Sequence, residues 1–268
     1  MWKPNPYFLY EKSVQSPEAH IELVVQICAE LAPGKHLRRL REDFCGTFLI
    51  SCEWVKIHPE HTAIGLDLDP KALAYGKKNH LSKLASAQKK RLKVQRRNVM
   101  TLSRPRVEVV VAANFSFYIF KRREVLLKYF RSVRASLVQG GLFILEMAGG
   151  PGMIHTMREW KPVYVKDGKK KRRFTYVWDQ ISFDPITHDV RYAIHFHVNG
   201  KKLENAFEYD WRLWTIPEVK DALHEAGFSD SAVYWETEDE DGHGTGQYER
   251  REAGDNAVSW IAQVVGIA

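Results

Sequence analysis

Leu40, Arg41, Glu42, Asp43, Phe44, Cys45, Gly46 and Thr47 run from an apolar stretch into a tight turn, and helix-like spacing resumes at Leu49. A strand that breaks into a turn ahead of a helix offers backbone N–H groups and the positive end of that helix to a ligand. Gly46 lets the ligand come close to the main chain. Asp67 follows Glu42 by twenty-five residues, at the end of the next apolar run. A carboxylate placed there can accept hydrogen bonds from ribose hydroxyls. Asp69 and Pro70 behind it read as the cap and first turn of a helix. The two segments together describe a nucleoside site at the carboxyl ends of two adjacent strands.

Such a site needs a parallel sheet to position it, and the hydrophobic periods supply one. Apolar runs at 37–41, 63–66, 92–96, 107–112 and 142–146 read as strands, separated by helical spacing over 49–57, 71–87 and 124–137. Ser16 and Pro17 open an earlier helix, whose apolar residues Ile21, Val24, Val25, Cys28 and Leu31 recur at helical intervals until Pro33 and Gly34. Strands alternating with helices imply a doubly wound α/β sheet with right-handed crossovers. Thr215 and Glu218 form a capping box, Gly227 follows the end of that helix, and 232–236 and 258–265 close the chain as strands. The acidic, glycine-bearing segment 237–257 between them is expected to be a mobile loop.

Between about 163 and 214 the period changes to two. Asn199-Gly200 is a type I′ hairpin signal, because both turn residues need positive φ. A two-residue loop there places Phe196 opposite Leu203, His195 opposite Glu204, Tyr192 opposite Phe207, Arg191 opposite Glu208 and Val190 opposite Tyr209. Residues 174–183 turn back through Asp184 and Pro185 as a third antiparallel strand. If Phe183 pairs with Val190, Tyr176 and Trp178 share a face with Arg191, His195, His197 and Glu204. That face is a candidate substrate wall, with His195 and His197 as candidate catalytic groups; a solvated His195–Glu204 pair is the competing reading. Two imidazoles on one face could also hold a metal, but no Cys or third His is within sequence reach, and no metal site is expected. The chain divides into residues 1–150 with the nucleoside site, an inserted sheet over 151–214 as a candidate substrate cover, and a closing helix and strands over 215–268.

At the turn after the first strand the sequence resembles the class I S-adenosylmethionine-dependent methyltransferases. Their first motif is a strand, an acid and a Gly-rich turn often written with Cys-Gly-Thr at its centre. Glu42, Phe44, Cys45, Gly46 and Thr47 fall on it, with Phe44 and Phe48 where the family usually has glycines, so the turn is expected to differ locally. Asp67, with Leu68 beside it, matches the ribose-binding acid. Asn98 and Val99 match the place where an Asp or Asn usually meets the adenine amino group, and Asn114 sits where the family lines the methyl-transfer site. Gly140 and Gly141 before the fifth strand, and Gly227 and Phe228 before the sixth, extend the resemblance along most of the chain. It implies a Rossmann-like seven-stranded sheet with its last strand antiparallel, carrying an inserted antiparallel sheet as in small-molecule N-methyltransferases. It also implies S-adenosylmethionine as methyl donor and S-adenosylhomocysteine as product. Tyr10, with Tyr7, would belong to a lid over the cofactor, and Tyr118 would lie near the methyl group.

The composition fits an enzyme. With 268 residues, 44% hydrophobic and 27% charged, the chain is too apolar for disorder and long enough to bury a core without disulfides or a structural metal. Cys28, Cys45 and Cys52 have no paired spacing, which points to a reducing, cytoplasmic compartment. Residues 1–16 carry charges and prolines where an export signal would need an apolar run, and the most apolar stretch, 109–120, is too short to span a membrane. The leading expectation is a cytoplasmic methyltransferase acting on the nitrogen or oxygen of a small molecule. The net charge of +7 includes twelve Lys and Arg between 71 and 106, with no Asp or Glu among them. That patch carries the alternative of an RNA methyltransferase. A non-catalytic nucleoside-binding or scaffold protein is the third reading, and the exposed inserted sheet is a candidate homodimer contact.

Overall fold

Asn5 accepts a hydrogen bond from the Tyr7 amide at 2.9 Å and Pro6 occupies the first turn, so a helix, α1 (Pro6–Val14), already forms ahead of the one expected from Ser16. In this computed structural model, which describes residues 2–168 and 170–268, α2 (Pro17–Leu31) leads into the main sheet. There follow β1 (Arg39–Asp43), α3 (Leu49–Ile57), β2 (Thr62–Asp67), α4 (Pro70–Asn79), α5 (Ser86–Lys89), β3 (Leu92–Arg96), β4 (Val107–Ala112), α6 (Arg123–Ser136) and β5 (Leu137–Gly149). The second sheet contains β6 (Met157–Asp167), β7 (Lys170–Phe183), β8 (Asp189–Val198) and β9 (Lys201–Arg212). The chain closes with α7 (Ile216–Glu225), β10 (Asp230–Glu238), β11 (Gly244–Arg250) and β12 (Trp260–Ile267).

The main sheet has the order β3-β2-β1-β4-β5-β12-β10-β11. From β3 to β5 neighbours are parallel, and β12 runs antiparallel to both β5 and β10. These strands are the expected Rossmann-like set of seven, and β11 adds an eighth at the edge. Alternate residues of β4 enter opposite cores: Val110 packs toward Tyr129, Phe130 and Val133 of α6, and Val109 and Val111 toward α2 and α3. Residues 109–112 of β4 are buried on both faces and apolar without interruption, which is why this strand was legible, while Glu108 at its start pairs with Arg39.

The inserted sheet is four-stranded and antiparallel, in the order β6-β7-β8-β9. Asn199 and Gly200 take φ of 51° and 75°, as the hairpin signal required. Two bulges then change the register. Phe196 faces Leu203 as expected, but Asn205 turns left-handed at φ 51°, and beyond it Ile194 faces Phe207, Tyr192 faces Tyr209 and Val190 faces Trp211. Phe183 does pair with Val190, yet the register shifts between Gln180 and Ser182, so Tyr176 faces Phe196 and Trp178 faces Ile194. Because successive side chains alternate faces, the one-residue slip between Gln180 and Ser182 moves a set of residues across the sheet, whereas the two-residue slip at Asn205 changes partners without changing faces. Tyr176 and Trp178 therefore lie opposite to the face of His195 and His197.

Two further expectations are corrected. The helix expected over 71–87 stops at Asn79, where His80 leaves the helix and its Nε2 meets Glu11 of α1 at 2.7 Å. The segment 237–257 is not one long loop: β11 pairs with β10 across a turn in which Asp239 accepts the amides of Asp241 and His243 and Gly242 takes φ 77°.

Candidate active site

The turn after β1 carries three left-handed residues, Phe44, Gly46 and Phe48, at φ 53°, 50° and 53°. Its backbone thus adopts at both phenylalanines the conformation that glycine favours. Phe48 is fully buried, and Phe44 packs 5.8 Å from the rings of Phe120 and Tyr129. Cys45 and Thr47 also point inward. Cys45 is buried with its Sγ toward Gly65, and burial together with the nearby carboxylates raises its thiol pKa well above the usual range. Glu42 is buried as well, and its Oε2 accepts the amide and hydroxyl of Ser51 at 2.8 and 2.5 Å, anchoring the first turn of α3. Burial raises its pKa from 4.5 to about 7 against the opposing Ser51 bonds, with Asp67 and Asp43 adding to the rise.

The outward side of the turn is formed by other groups. The Gly46 amide donates to Asp67 Oδ2 at 2.7 Å, and Asp67 Oδ1 accepts the Asp69 amide at 2.7 Å. Asp69 caps α4 through the Lys71 amide at 2.8 Å and accepts the Tyr7 hydroxyl at 2.6 Å, joining α1 to this rim. Leu68 leaves 58% of its surface exposed directly beside Asp67. The Arg97 amide donates to the Asp67 carbonyl at 3.0 Å, which brings the end of β3 alongside; there Asn98 is exposed and accepts the Met100 amide at 2.8 Å. Val99 is buried, and its carbonyl accepts from Arg41. Arg41 and Asp43 form a fully buried ion pair, with Nε to Oδ1 at 2.6 Å. Arg41 also holds the Thr101 carbonyl at 2.8 Å, and Tyr129 donates to Asp43 at 2.8 Å. This cluster, which sequence reasoning missed, fixes the loop after β3 against β1.

Beyond the end of β4, Asn114 and Phe115 take φ of 55° and 56°. The Asn114 amide donates to Glu146 of β5. Both residues line a half-open cavity of about 630 Å³, together with Tyr10 and Val14 of α1, with Lys161, Tyr176, Trp178, Ile194, Tyr209 and Trp211 of the inserted sheet, and with Glu236, Glu238 and His243 of the β10–β11 hairpin. Tyr10 is hydrogen-bonded to Tyr209, and burial pushes its hydroxyl pKa up to about 12. Burial also raises Glu236, against the pull of the Gly246 amide it accepts at 2.9 Å. The cavity therefore combines aromatic walls with a buried carboxylate on β5 and a half-buried one on β10.

Not every expected residue reaches this place. Tyr118 is fully buried and spans β5, donating to the Ala148 carbonyl at 2.7 Å and accepting the Ala148 amide at 3.2 Å. His195 faces away on the other side of its sheet. Its Nδ1 accepts the Asn205 amide at 2.8 Å and lies 2.9 Å from Glu204, while its Nε2 meets Asp179 at 3.2 Å. His197 shares that outer face, paired across the strands with Thr175 and Lys202. Glu146 was missed although a signal existed: a glutamate between Leu145 and Met147 in an otherwise apolar strand is a buried charge that calls for a reason.

No protein-family model and no curated protein matches the chain. Solved structures do. Streptomyces venezuelae DesVI is 17% identical, with 99% of each chain covered and a TM-score of 0.71. The chain has the fold of the class I methyltransferases. An amino pentose methyltransferase from Micromonospora echinaspora, solved with S-adenosylmethionine bound, is 17% identical with 98% of each chain covered at TM-score 0.69. A sugar N-methyltransferase from a Streptoalloteichus species is 18% identical at TM-score 0.67, covering 100% of this chain and 94% of its own. Among the described residues, no helix is long and apolar enough to cross a membrane.

Proposed function

We propose that the chain is a cytoplasmic S-adenosylmethionine-dependent methyltransferase that acts on an amino group of a small molecule. The observation that carries this reading is the cavity beyond β4 and β5, in which aromatic faces and the carboxylates of Glu146 and Glu236 meet. An amine is cationic near neutral pH, and ring faces and buried carboxylates both favour cations. Two similar folds named as a sugar N-methyltransferase and an amino pentose methyltransferase support the same acceptor class.

The rim beside the cavity fits the cofactor. Apart from Gly46 and its two chain neighbours, no heavy atom of the described residues lies within 4 Å of the point where a Cβ on Gly46 would stand, so the space over the turn is open. Asp67 would hold the ribose, Leu68 would lie against the purine, and Asn98 would stand near the adenine edge. When bound, the cofactor supplies a methyl group on a cationic sulfur. The protein contributes alignment and exclusion of water: Asn114 lies between rim and cavity, and Tyr10, Tyr176, Trp178 and Trp211 enclose the acceptor. In this division residues 1–150 and 215–268 hold the cofactor, and 151–214 cover the acceptor. Neither His195 nor His197 takes part, and Tyr118 supports β5 without reaching the reacting atoms.

The test is calorimetric binding of S-adenosylmethionine and S-adenosylhomocysteine, with NADH and ATP as controls. Selective micromolar binding of the first two is expected. Folded protein that binds neither overturns the proposal.

A further inference from the structure

Glu146 connects the cavity to a histidine that the methyl-transfer reading does not use. On one side it accepts the Asn114 amide; on the other, His20 Nε2 of α2 stands 3.8 Å from its Oε2. The Glu146 side chain is 9% exposed and that of His20 is 20% exposed, so the pair leads outward from the cavity. His20 Nε2 has no hydrogen-bond partner among the described residues. Gln263, which pairs with Glu146 across β5 and β12 and is 2% exposed, turns its side chain to Tyr248 in the same cluster. Buried polar groups are normally satisfied, so an unmatched imidazole nitrogen facing a carboxylate marks a polar path and not simple packing.

We propose that Glu146 and His20 form the route by which the acceptor's proton leaves the inner end of the cavity. This inference rests on the amine reading above. Methylation of an ammonium releases one proton. The N–H bond breaks with its electrons left on nitrogen, and that pair forms the N–C bond as the C–S electrons pass to sulfur. The proton bonds to Glu146 and then, through a water that can bridge the 3.8 Å gap, to the buried His20 Nε2; the ring releases its Nδ1 proton to solvent, and the reverse exchange of tautomers returns both side chains to their starting state. The other groups facing Glu146 are Tyr10 of α1, Tyr118, Tyr248 of β11 and Glu236 of β10. Burial raises all three tyrosine hydroxyls, which keep their protons near neutral pH and leave Glu236 as the neighbouring acid that titrates.

Glu146→Gln and His20→Gln, which preserve size and polarity, separate the roles. The first readout is quenching of tryptophan fluorescence in the S-adenosylhomocysteine complex by choline and by its neutral isostere 3,3-dimethyl-1-butanol. Wild type and His20→Gln should prefer choline, while Glu146→Gln should lose at least tenfold in choline affinity and nothing for the alcohol. The second readout is the NMR spectrum of the His20 ring, whose signals should shift on saturation with choline in wild type and not in Glu146→Gln. The third is methylation of n-butylamine, whose kcat His20→Gln should lower at least tenfold with choline affinity unchanged and with partial rescue by added imidazole. His20 signals that choline does not move, or an undiminished kcat in His20→Gln, overturns the route while leaving the amine reading in place. Wild type that methylates no amine and shows no choline preference overturns both.

Discussion

Replacing Glu42 by glutamine should stabilise the protein at alkaline pH. Glu42 is 5% exposed, and burial raises its carboxyl pKa from 4.5 to about 7 despite two bonds from Ser51. Between those pH values the folded protein holds a proton that the unfolded chain has lost, so stability falls as pH rises through this window. Above it, the native state carries an ionised buried carboxylate at a cost of about 3 kcal/mol relative to acid conditions. Glu42→Gln keeps an oxygen for the Ser51 donors and removes the ionisation. Urea unfolding at pH 8 should show the variant more stable by about 2–3 kcal/mol, with the advantage shrinking toward zero near pH 4.5 and an unchanged m-value. An advantage that does not vary with pH, or a variant less stable at pH 8, would refute the reasoning, because either result means that Glu42 ionises normally in the folded protein.

Asp67→Ala should weaken S-adenosylmethionine binding more than tenfold in calorimetry with the circular dichroism unchanged, since a charge-assisted hydrogen bond contributes about 1.5–3 kcal/mol. Gly76→Ala places a Cβ 2.4 Å from the Phe48 ring and 2.5 Å from the Thr47 carbonyl, and should cost about 1–3 kcal/mol in denaturant unfolding. Arg41→Met leaves Asp43 buried without its counterion and should cost about 3–5 kcal/mol, much of which Arg41→Met/Asp43→Leu should recover.

What could be read from sequence and what could not divide along physical lines. The turn after β1, the acid at the end of β2 and the Asn199-Gly200 hairpin depend on residues adjacent in the chain, and all three stand where spacing put them. The substrate wall failed differently. The one-residue bulge near Ile181 carried Tyr176 and Trp178 to the face opposite His195, and that face, not the histidine face, lines the cavity; the two-residue shift at Asn205 changes partners along the strand and leaves facing unchanged. A bulge adds one residue with no strong compositional mark, and its consequence for facing reaches every residue beyond it. The surroundings of Glu146 were hidden for another reason, since its neighbours Asn114, His20 and Gln263 come from the turn after β4, from α2 and from β12 and meet only after the sheet has formed.

The two phenylalanines in the turn show how a motif can change its residues and keep its backbone. A left-handed non-glycine residue costs about 1–2 kcal/mol, while burying a phenylalanine contributes about 1.5–3 kcal/mol. Phe48, with none of its surface exposed, offsets its own strain. The demand for glycine then moves to the residues around the turn. A Cβ on Gly65 would stand 2.9 Å from Cys45 Sγ, and one on Gly76 would enter the Phe48 ring. Gly46 meets no such neighbour, so the one glycine retained within the turn is the one that faces open space. The departures at Phe44 and Phe48 therefore strengthen the inward side of the turn without filling the side on which a ligand would lie.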